Sequence, residues 1–469
     1  MSRTKEMARN TMILGMGIFV SRILNMITTP FISGYTSDAD FGLIDLVTTT
    51  ILSFVIPVCA LQIEQGIYRF MIDSKENQKQ FSNIISSGSF MLLIVTLIIS
   101  IVTYFIPVTG FEGNFKYLLI LYIIIEVIIH TLRAIARGLQ MTKVYSFSSI
   151  ISVLVNFTVL FIGVVYLKWG YIAVIVALTA ADVVASIYII WKTKIWNYLN
   201  RSKINIKMSK EILDYSLPFV PNAVAWYINM FSDRILIGMY LGLAANGVYG
   251  MAMKIPSIIN LLYPAFNLSW IESSIKASND GNKKDYYNKI FKQSYALITA
   301  GTALLIAGSP ILFVIFNRNP ELNSAIYSVG ILIVASYFYC FSQFFSSFYI
   351  VAKDTKKMTG STLVAAIINI VINLLFLEQY GVIIAAVSTL VSNFSLAAYR
   401  YVNVNKNYTK LKLSKRVMAV TMFTFIVLCI LSLSSSWIVC IINILLATLF
   451  AYILCGDIVI GFIKSKILK

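Results

Sequence analysis

The sequence predicts an all-α polytopic membrane protein of about 14 transmembrane helices, built as two pseudo-symmetric six-helix lobes plus a C-terminal helix pair, with both termini cytoplasmic. Three observations carry this expectation. First, 58% of the 469 residues are AVILMFWYC and only 12% are charged, whereas soluble domains average roughly 45–50% and about 25%; the mean hydropathy is +0.81. Second, the apolar residues fall in blocks of the length, about 20 residues, that crosses the hydrocarbon core. Third, basic residues gather in alternate loops, as they do on the cytoplasmic side of membrane proteins. A soluble enzyme and a disordered chain are both excluded by these numbers.

Taken in order, the spans fall near 10–35, 41–71, 81–107, 115–140, 143–167, 169–191, 211–241, 243–272, 286–316, 322–350, 357–378, 381–402, 417–435 and 437–463. The first follows Arg3, Lys5 and Arg9 as a signal sequence would, yet it is too long and lacks a small-residue cleavage site, so it is expected to be retained. Only Ser434, Ser435 and Ser436 separate the last two, which can also be read as one re-entrant unit. With the N-terminus inside, the outside loops hold only Lys116, Lys168 and Arg318 of the 38 basic residues. The net charge of +18 is therefore accounted for by topology, and nucleic acid is not expected as a partner.

The longest basic loop, 192–210, follows the sixth span, and a second, 402–416, follows the twelfth. They divide the chain into an N-terminal lobe (1–210), a C-terminal lobe (211–405) and an additional helix pair (406–469). Spans one and seven share SRIL (21–24) and DRIL (233–236), and six of the nine prolines lie in the first two spans of each lobe: Pro30 and Pro57, then Pro218, Pro221, Pro256 and Pro264. Broken helices at matching places in two repeats point to a transport site.

A charge near the bilayer centre costs about 2.5–3.5 kcal/mol on insertion scales, so each one asks for a reason. The candidates are Arg22, Glu126, His130, Arg133, Asp182, Asp233, Arg234 and Lys254. Glu126, His130, Arg133 and Arg137 are spaced to share one helical face. That stripe reads either as a self-neutralising ladder or as a relay facing a water-filled cavity. Arg22, Arg234 and Lys254 have no acidic partner in reach within their own helices, and they either pair across helices or line a cationic pocket for a phosphate group. Arg69, Arg137, Lys292 and Arg400 lie near cytoplasmic ends and are expected to snorkel. Asn25, Asn222, Trp226, Tyr227, Asn229 and Asn260 could bind sugars or simply join helices.

Cys59, Cys340, Cys429, Cys440 and Cys455 lie in apolar stretches without CxxC spacing and read as small buried hydrophobes. With one histidine and scattered acids, no metal site and no cofactor are expected. There is no GxxxxGK[ST] loop, no TVGYG filter, no paired carboxylates in a soluble loop, and the loops are too short for a catalytic domain, so the chain is not expected to be an enzyme.

Residues 5–32 (KEMARNTMILGMGIFVSRILNMITTPFI), 40–46 (DFGLIDL), 64–71 (EQGIYRFM) and 232–260 (SDRILIGMYLGLAANGVYGMAMKIPSIIN) resemble the polysaccharide or O-antigen repeat-unit flippases of the multidrug/oligosaccharidyl-lipid/polysaccharide (MOP, MATE-like) exporter superfamily. The resemblance implies two lobes that rock about a central cavity and carry an undecaprenyl-pyrophosphate-linked oligosaccharide to the outer leaflet for O-antigen or capsule synthesis. It implies that cations on the first and seventh helices, here Arg22 and Arg234, bind the pyrophosphate, with Lys254 beside them. It further implies a bacterial plasma membrane, a lipid-linked oligosaccharide and membrane lipids as partners, and association with a polysaccharide polymerase and glycosyltransferases; one chain already carries both lobes, so a monomer suffices. H⁺ or Na⁺ would be the coupling ion. Related members suggest two alternatives, a cation-coupled multidrug exporter, for which Asp182, Asp233, Glu126 and His130 are the residues to watch, and a lipid II flippase.

Overall fold

A computed structural model describes residues 28–50, 58, 60–74, 79–105, 115–277, 282–352, 354–434 and 436–467. Arg22, Asn25, Pro57 and Cys59 lie outside them. The described residues are helical throughout, without strands, and form two compact units, Met1–Phe231 and Ser232–Lys469.

In the first unit, α1 (Asp38–Thr50), α2 (Ile63–Asp73), α3 (Lys79–Phe105), α4 (Phe115–Gly138), α5 (Thr142–Phe161), α6 (Tyr171–Thr193) and α7 (Ile206–Ser216) follow one another, and α8 (Phe219–Tyr240) leads on into the second unit. There α9 (Gly242–Lys254), α10 (Ser257–Ala277), α11 (Lys283–Phe316), α12 (Ile326–Val351), α13 (Thr355–Tyr380), α14 (Val382–Asn407), α15 (Lys415–Ser432) and α16 (Trp437–Ile467) complete the chain. Among the described residues, ten helices are long and apolar enough to cross a membrane. They include α15 and α16, which are separate helices. Leu93, Leu97, Ile101 and Phe105 form an exposed stripe on one face of α3, as a lipid-facing surface requires. The protein is a multi-pass membrane protein.

Two of the spans in which prolines gather are broken, as the prolines predict. Residues 211–241 resolve into α7 and α8, parted at Leu217–Pro218, and 243–272 into α9 and α10, parted at Ile255–Pro256. The cause is local, because proline has no N–H to donate and disfavours helical geometry in the residue before it. Ser257 Oγ donates to the Lys254 carbonyl at 2.5 Å, capping the end that Pro256 leaves open. Pro264 and Pro310 lie inside helices that continue through them.

Each unit turns into one of its long helices at a glycine that no side-chain-bearing residue could replace without strain. Gly170 (φ 57°, ψ −134°) precedes α6, and Gly381 (φ 67°, ψ −157°) precedes α14. In both units that helix packs on the two before it, α6 on α4 and α5, α14 on α12 and α13. Asp182 and Asn393 each stand twelve residues after their glycine, so the deep acid of the first unit has an amide at its counterpart.

The core of the first unit gathers Ile63, Ile67 and Met71 of α2, Tyr122 and Val127 of α4, and Ile189 of α6. The second is held by aromatics: Trp270 stacks on Phe344 at 4.6 Å and donates its Nε1–H to the Phe344 carbonyl at 3.1 Å. Cys340, Cys440 and Cys455 are buried and unbonded, and Cys429 is half-buried.

Candidate functional site

Among the described residues, Asp233 and Arg234 fall in one cluster, in the second unit, and Glu126, His130, Arg133 and Asp182 in another, in the first. In the second unit, Asp233 on α8 is 7% exposed and accepts hydrogen bonds from three neutral donors. Asn373 Nδ2 donates to Oδ1 at 2.7 Å, while Tyr249 Oη and Thr389 Oγ1 donate to Oδ2 at 2.8 and 2.7 Å. Four helices are thereby joined at one carboxylate: α8, α9, α13 and α14. Around it, Asn373 also reaches Ser388 Oγ at 2.9 Å, and Ser232 Oγ donates to Asn369 Oδ1 at 3.3 Å. The Asn373 Oδ1 atom is buried with no hydrogen-bond donor among the described residues.

Arg234, the next residue, is also 7% exposed, and its guanidinium lies 5.7 Å from the centre of the Tyr249 ring, within cation–π range. Tyr249 thus gives its hydroxyl to Asp233 and its face to Arg234. That settles how neighbours pointing in different directions on one helix are both accommodated. Lys254 is half-buried at the end of α9, immediately before the break at Pro256. Tyr227 is buried against Phe231, the ring centroids 5.3 Å apart.

In the first unit, the α4 stripe is part ladder and part cross-helix pairing. Glu126 Oε1 lies 3.2 Å from His130 Nε2, whereas Arg133 turns away to Asp182 on α6, 3.9 Å from Oδ1. Ser152 of α5 donates to the same Asp182 oxygen at 3.0 Å. Arg133 thereby brings Asp182 of α6 to the face of α4 that carries Glu126 and His130. Glu126 Oε2, Arg133 Nε and Tyr122 Oη are buried without a hydrogen-bond partner among the described residues. His130 is 45% exposed at its side chain while Glu126 is 7% exposed, so the histidine connects a buried acid with an accessible surface. Glu64 of α2 lies within electrostatic range of the same histidine.

One of the four cations expected to snorkel does not. Arg400 is 1% exposed, and its guanidinium donates to the Ser342 and Met358 carbonyls at 2.9 and 3.1 Å and to Ser361 Oγ and Thr362 Oγ1 at 3.1 and 2.8 Å. Two helices packed against α14, α12 and α13, supply the solvation that water would otherwise give. Arg69 pairs with Asp73 on the exposed surface, and Arg137 is exposed with its guanidinium 4.4 Å from the Tyr68 ring centre.

Charge deep in a span points to Asp233 and Asp182 but not to the residues around them: Tyr249, Asn369, Asn373, Ser388 and Thr389 in one cluster, Glu64, Tyr122 and Ser152 in the other. The signal for the first was present in the stretch AAIINIVINLLF, where Asn369 and Asn373 stand one turn apart in an otherwise apolar run.

Two helical units, each with a helix break at proline and each burying a cluster of polar and ionisable groups among long apolar helices, define a multi-pass helical membrane protein. Residues 7–271 match the family model described as "Polysaccharide biosynthesis protein", and the chain belongs to that family. Over 290 residues it is 23% identical to the uncharacterized membrane protein MJ1375 of Methanocaldococcus jannaschii, covering 59% of this chain and 68% of that protein. Its fold is similar to that of the lipid II flippase MurJ in an inward closed conformation (TM-score 0.71, 18% identity, 96% of this chain and 100% of that one). It is also similar to an inward-facing multidrug resistance MATE family transporter of the MOP superfamily (TM-score 0.66, 15% identity, 82% and 95%).

Proposed function

We propose that the protein is a flippase that moves an undecaprenyl-pyrophosphate-linked oligosaccharide repeat unit from the inner to the outer leaflet of a bacterial plasma membrane, by alternating access, for O-antigen or capsule synthesis. The observation that carries the reading is Arg234, a buried guanidinium on a helix preceded by a proline break, in a chain of the polysaccharide biosynthesis family. A guanidinium presents a planar fork that matches phosphate oxygens, and it keeps its charge when buried. In this reading Arg22, Arg234 and Lys254 hold the pyrophosphate, both termini are cytoplasmic, and the polymerase and glycosyltransferases that make and use the glycan are the natural partners.

Coupling by Na⁺ or H⁺ belongs to the same proposal. Asp233, with the side-chain oxygens of Asn369, Asn373 and Thr389 close by, offers one carboxylate among neutral oxygens, a donor set suited to a hard monovalent cation. Glu126 with His130, a buried acid beside a more exposed histidine, is suited to a proton. The fold also supports a second reading, a lipid II flippase, through the likeness to MurJ; the acid clusters support a third, a cation-coupled multidrug exporter.

Surface glycan export in a deletion strain tests the proposal. Complementation with the wild-type gene restores export, Arg22→Ala and Arg234→Ala do not, and all three proteins reach the membrane in equal amounts. Normal glycan export in the deletion strain together with altered drug sensitivity would replace the flippase reading with the exporter.

A further inference from the structure

Away from both clusters, the second unit carries a cavity of about 490 Å³ lined by Lys284, Asp285, Asn288, Lys289, Lys292 and Lys412. Four lysines and one aspartate give its wall a net of three positive charges. Basic residues on this side of a membrane protein are expected from topology alone, and four lysines on a solvated face would make no site. Here, however, the wall is built. Asn288 donates from Nδ2 to the Lys410 carbonyl at 2.9 Å and accepts the Lys412 N–H at Oδ1, 2.7 Å away. This amide ties the connection between α14 and α15 to the first turns of α11, and so holds Lys412 across from the α11 lysines.

The level of the cavity is set by the helix itself. α11 has 34 residues, about 51 Å at 1.5 Å per residue, and so outruns a hydrocarbon core of about 30 Å. No charge occurs in it from Gln293 to Phe316, so Lys292 stands at the edge of the apolar run and Lys284 and Lys289 within the two or so turns beyond. Lys412 precedes α15, whose own uncharged run begins after Arg416. The cavity therefore sits at the depth of lipid headgroups, where lysine ammoniums act as point charges for phosphate.

We propose that this cavity binds the phosphate of an anionic phospholipid headgroup. The ligand chemistry is a phosphate ester anion; its position at the membrane edge selects the lipid over free phosphate. The site is separate from the pyrophosphate-binding residues proposed above and does not depend on them.

The test is native mass spectrometry of the full-length protein released from nanodiscs, with phosphatidylglycerol and phosphatidylcholine offered together and inorganic phosphate as a separate arm. Each lysine engaged contributes about fivefold in affinity, so wild type retains phosphatidylglycerol over phosphatidylcholine by roughly 25-fold when two engage. The variant carrying Lys284→Gln, Lys289→Gln, Lys292→Gln and Lys412→Gln loses that preference. Asn288→Ala, which frees the wall without removing charge, weakens it severalfold. A control with Lys192, Lys194, Lys203 and Lys207 changed to glutamine keeps it. Equal lipid retention in wild type and the cavity variant would overturn the proposal, as would an equal loss in the control. Binding of inorganic phosphate without preference for phosphatidylglycerol would overturn the lipid assignment.

Discussion

Replacing Asp233 by asparagine changes one oxygen for an NH₂ and almost no volume, yet it reaches three hydrogen bonds at once. Asn373, Tyr249 and Thr389 donate to the carboxylate at 2.7, 2.8 and 2.7 Å. Bonds to an ionised acceptor contribute about 1.5–3 kcal/mol and neutral ones about 0.5–1.5, so each bond weakens by about 1 kcal/mol. The new amide also turns an N–H towards donors on one side, and Arg234 loses the negative charge beside it. The three bonds alone give a loss of about 3 kcal/mol. Thr389 softens this slightly, because its hydroxyl already has the Ala385 carbonyl at 2.8 Å as a second acceptor. At about 2–4 °C per kcal/mol for a unit of this size, the thermal midpoint in detergent falls by about 6–12 °C. Thr389→Val, which removes one donor, costs about a third as much. A midpoint for Asp233→Asn within 2 °C of wild type would refute the reasoning, since the donors would then not depend on the charge.

Arg400→Ala removes four hydrogen bonds joining α12, α13 and α14 and leaves the volume of its stem empty, so it destabilises by about 3 kcal/mol or more; Arg400→Met, which keeps the stem and drops the charge, loses less, and thermal melts of the two compare them directly. Gly381→Ala forces a side chain into a backbone conformation with φ 67°, costing about 1–3 kcal/mol, whereas Gly360→Ala, a helical position with open space around it, stabilises slightly. Asp354, outside the spans, is held below its ordinary value of 3.8 by its hydrogen bond to Lys357, with Tyr408 donating at 2.9 Å. Because the folded value is the lower one, the stability it contributes is present above the unfolded value and is lost as pH falls through the folded one. The difference in midpoint between wild type and Asp354→Asn therefore shrinks as pH is lowered below 3.8.

The architecture was legible because hydropathy reports the membrane directly. Helix ends such as 115, 316 and 437 match the apolar blocks, since a span stops where apolar residues stop. The breaks at Pro218 and Pro256 are signalled by the prolines, but their consequence, a short helix followed by a longer one in place of one span, depends on how each end is capped. Arg400 departs from the snorkelling expectation because distance from a helix end does not show that Ser342, Met358, Ser361 and Thr362 come from neighbouring helices to surround it. The cluster around Asp233 was only half visible for a related reason. Charge inside a membrane is conspicuous, whereas the amides and hydroxyls that make it tolerable belong to residue types common in any helix interface. Arg133 and Asp182 paired across helices, a contact that spacing along α4 alone does not reveal.

Binding of an undecaprenyl-pyrophosphate oligosaccharide to purified wild type, Arg22→Ala and Arg234→Ala, followed by native mass spectrometry, tests the central claim most directly. A charge-assisted hydrogen-bonding contact contributes about 1.5–3 kcal/mol, so each substitution is expected to weaken binding by about 10- to 100-fold. Binding that neither substitution alters would contradict the claim and leave both arginines as structural partners of their own helices.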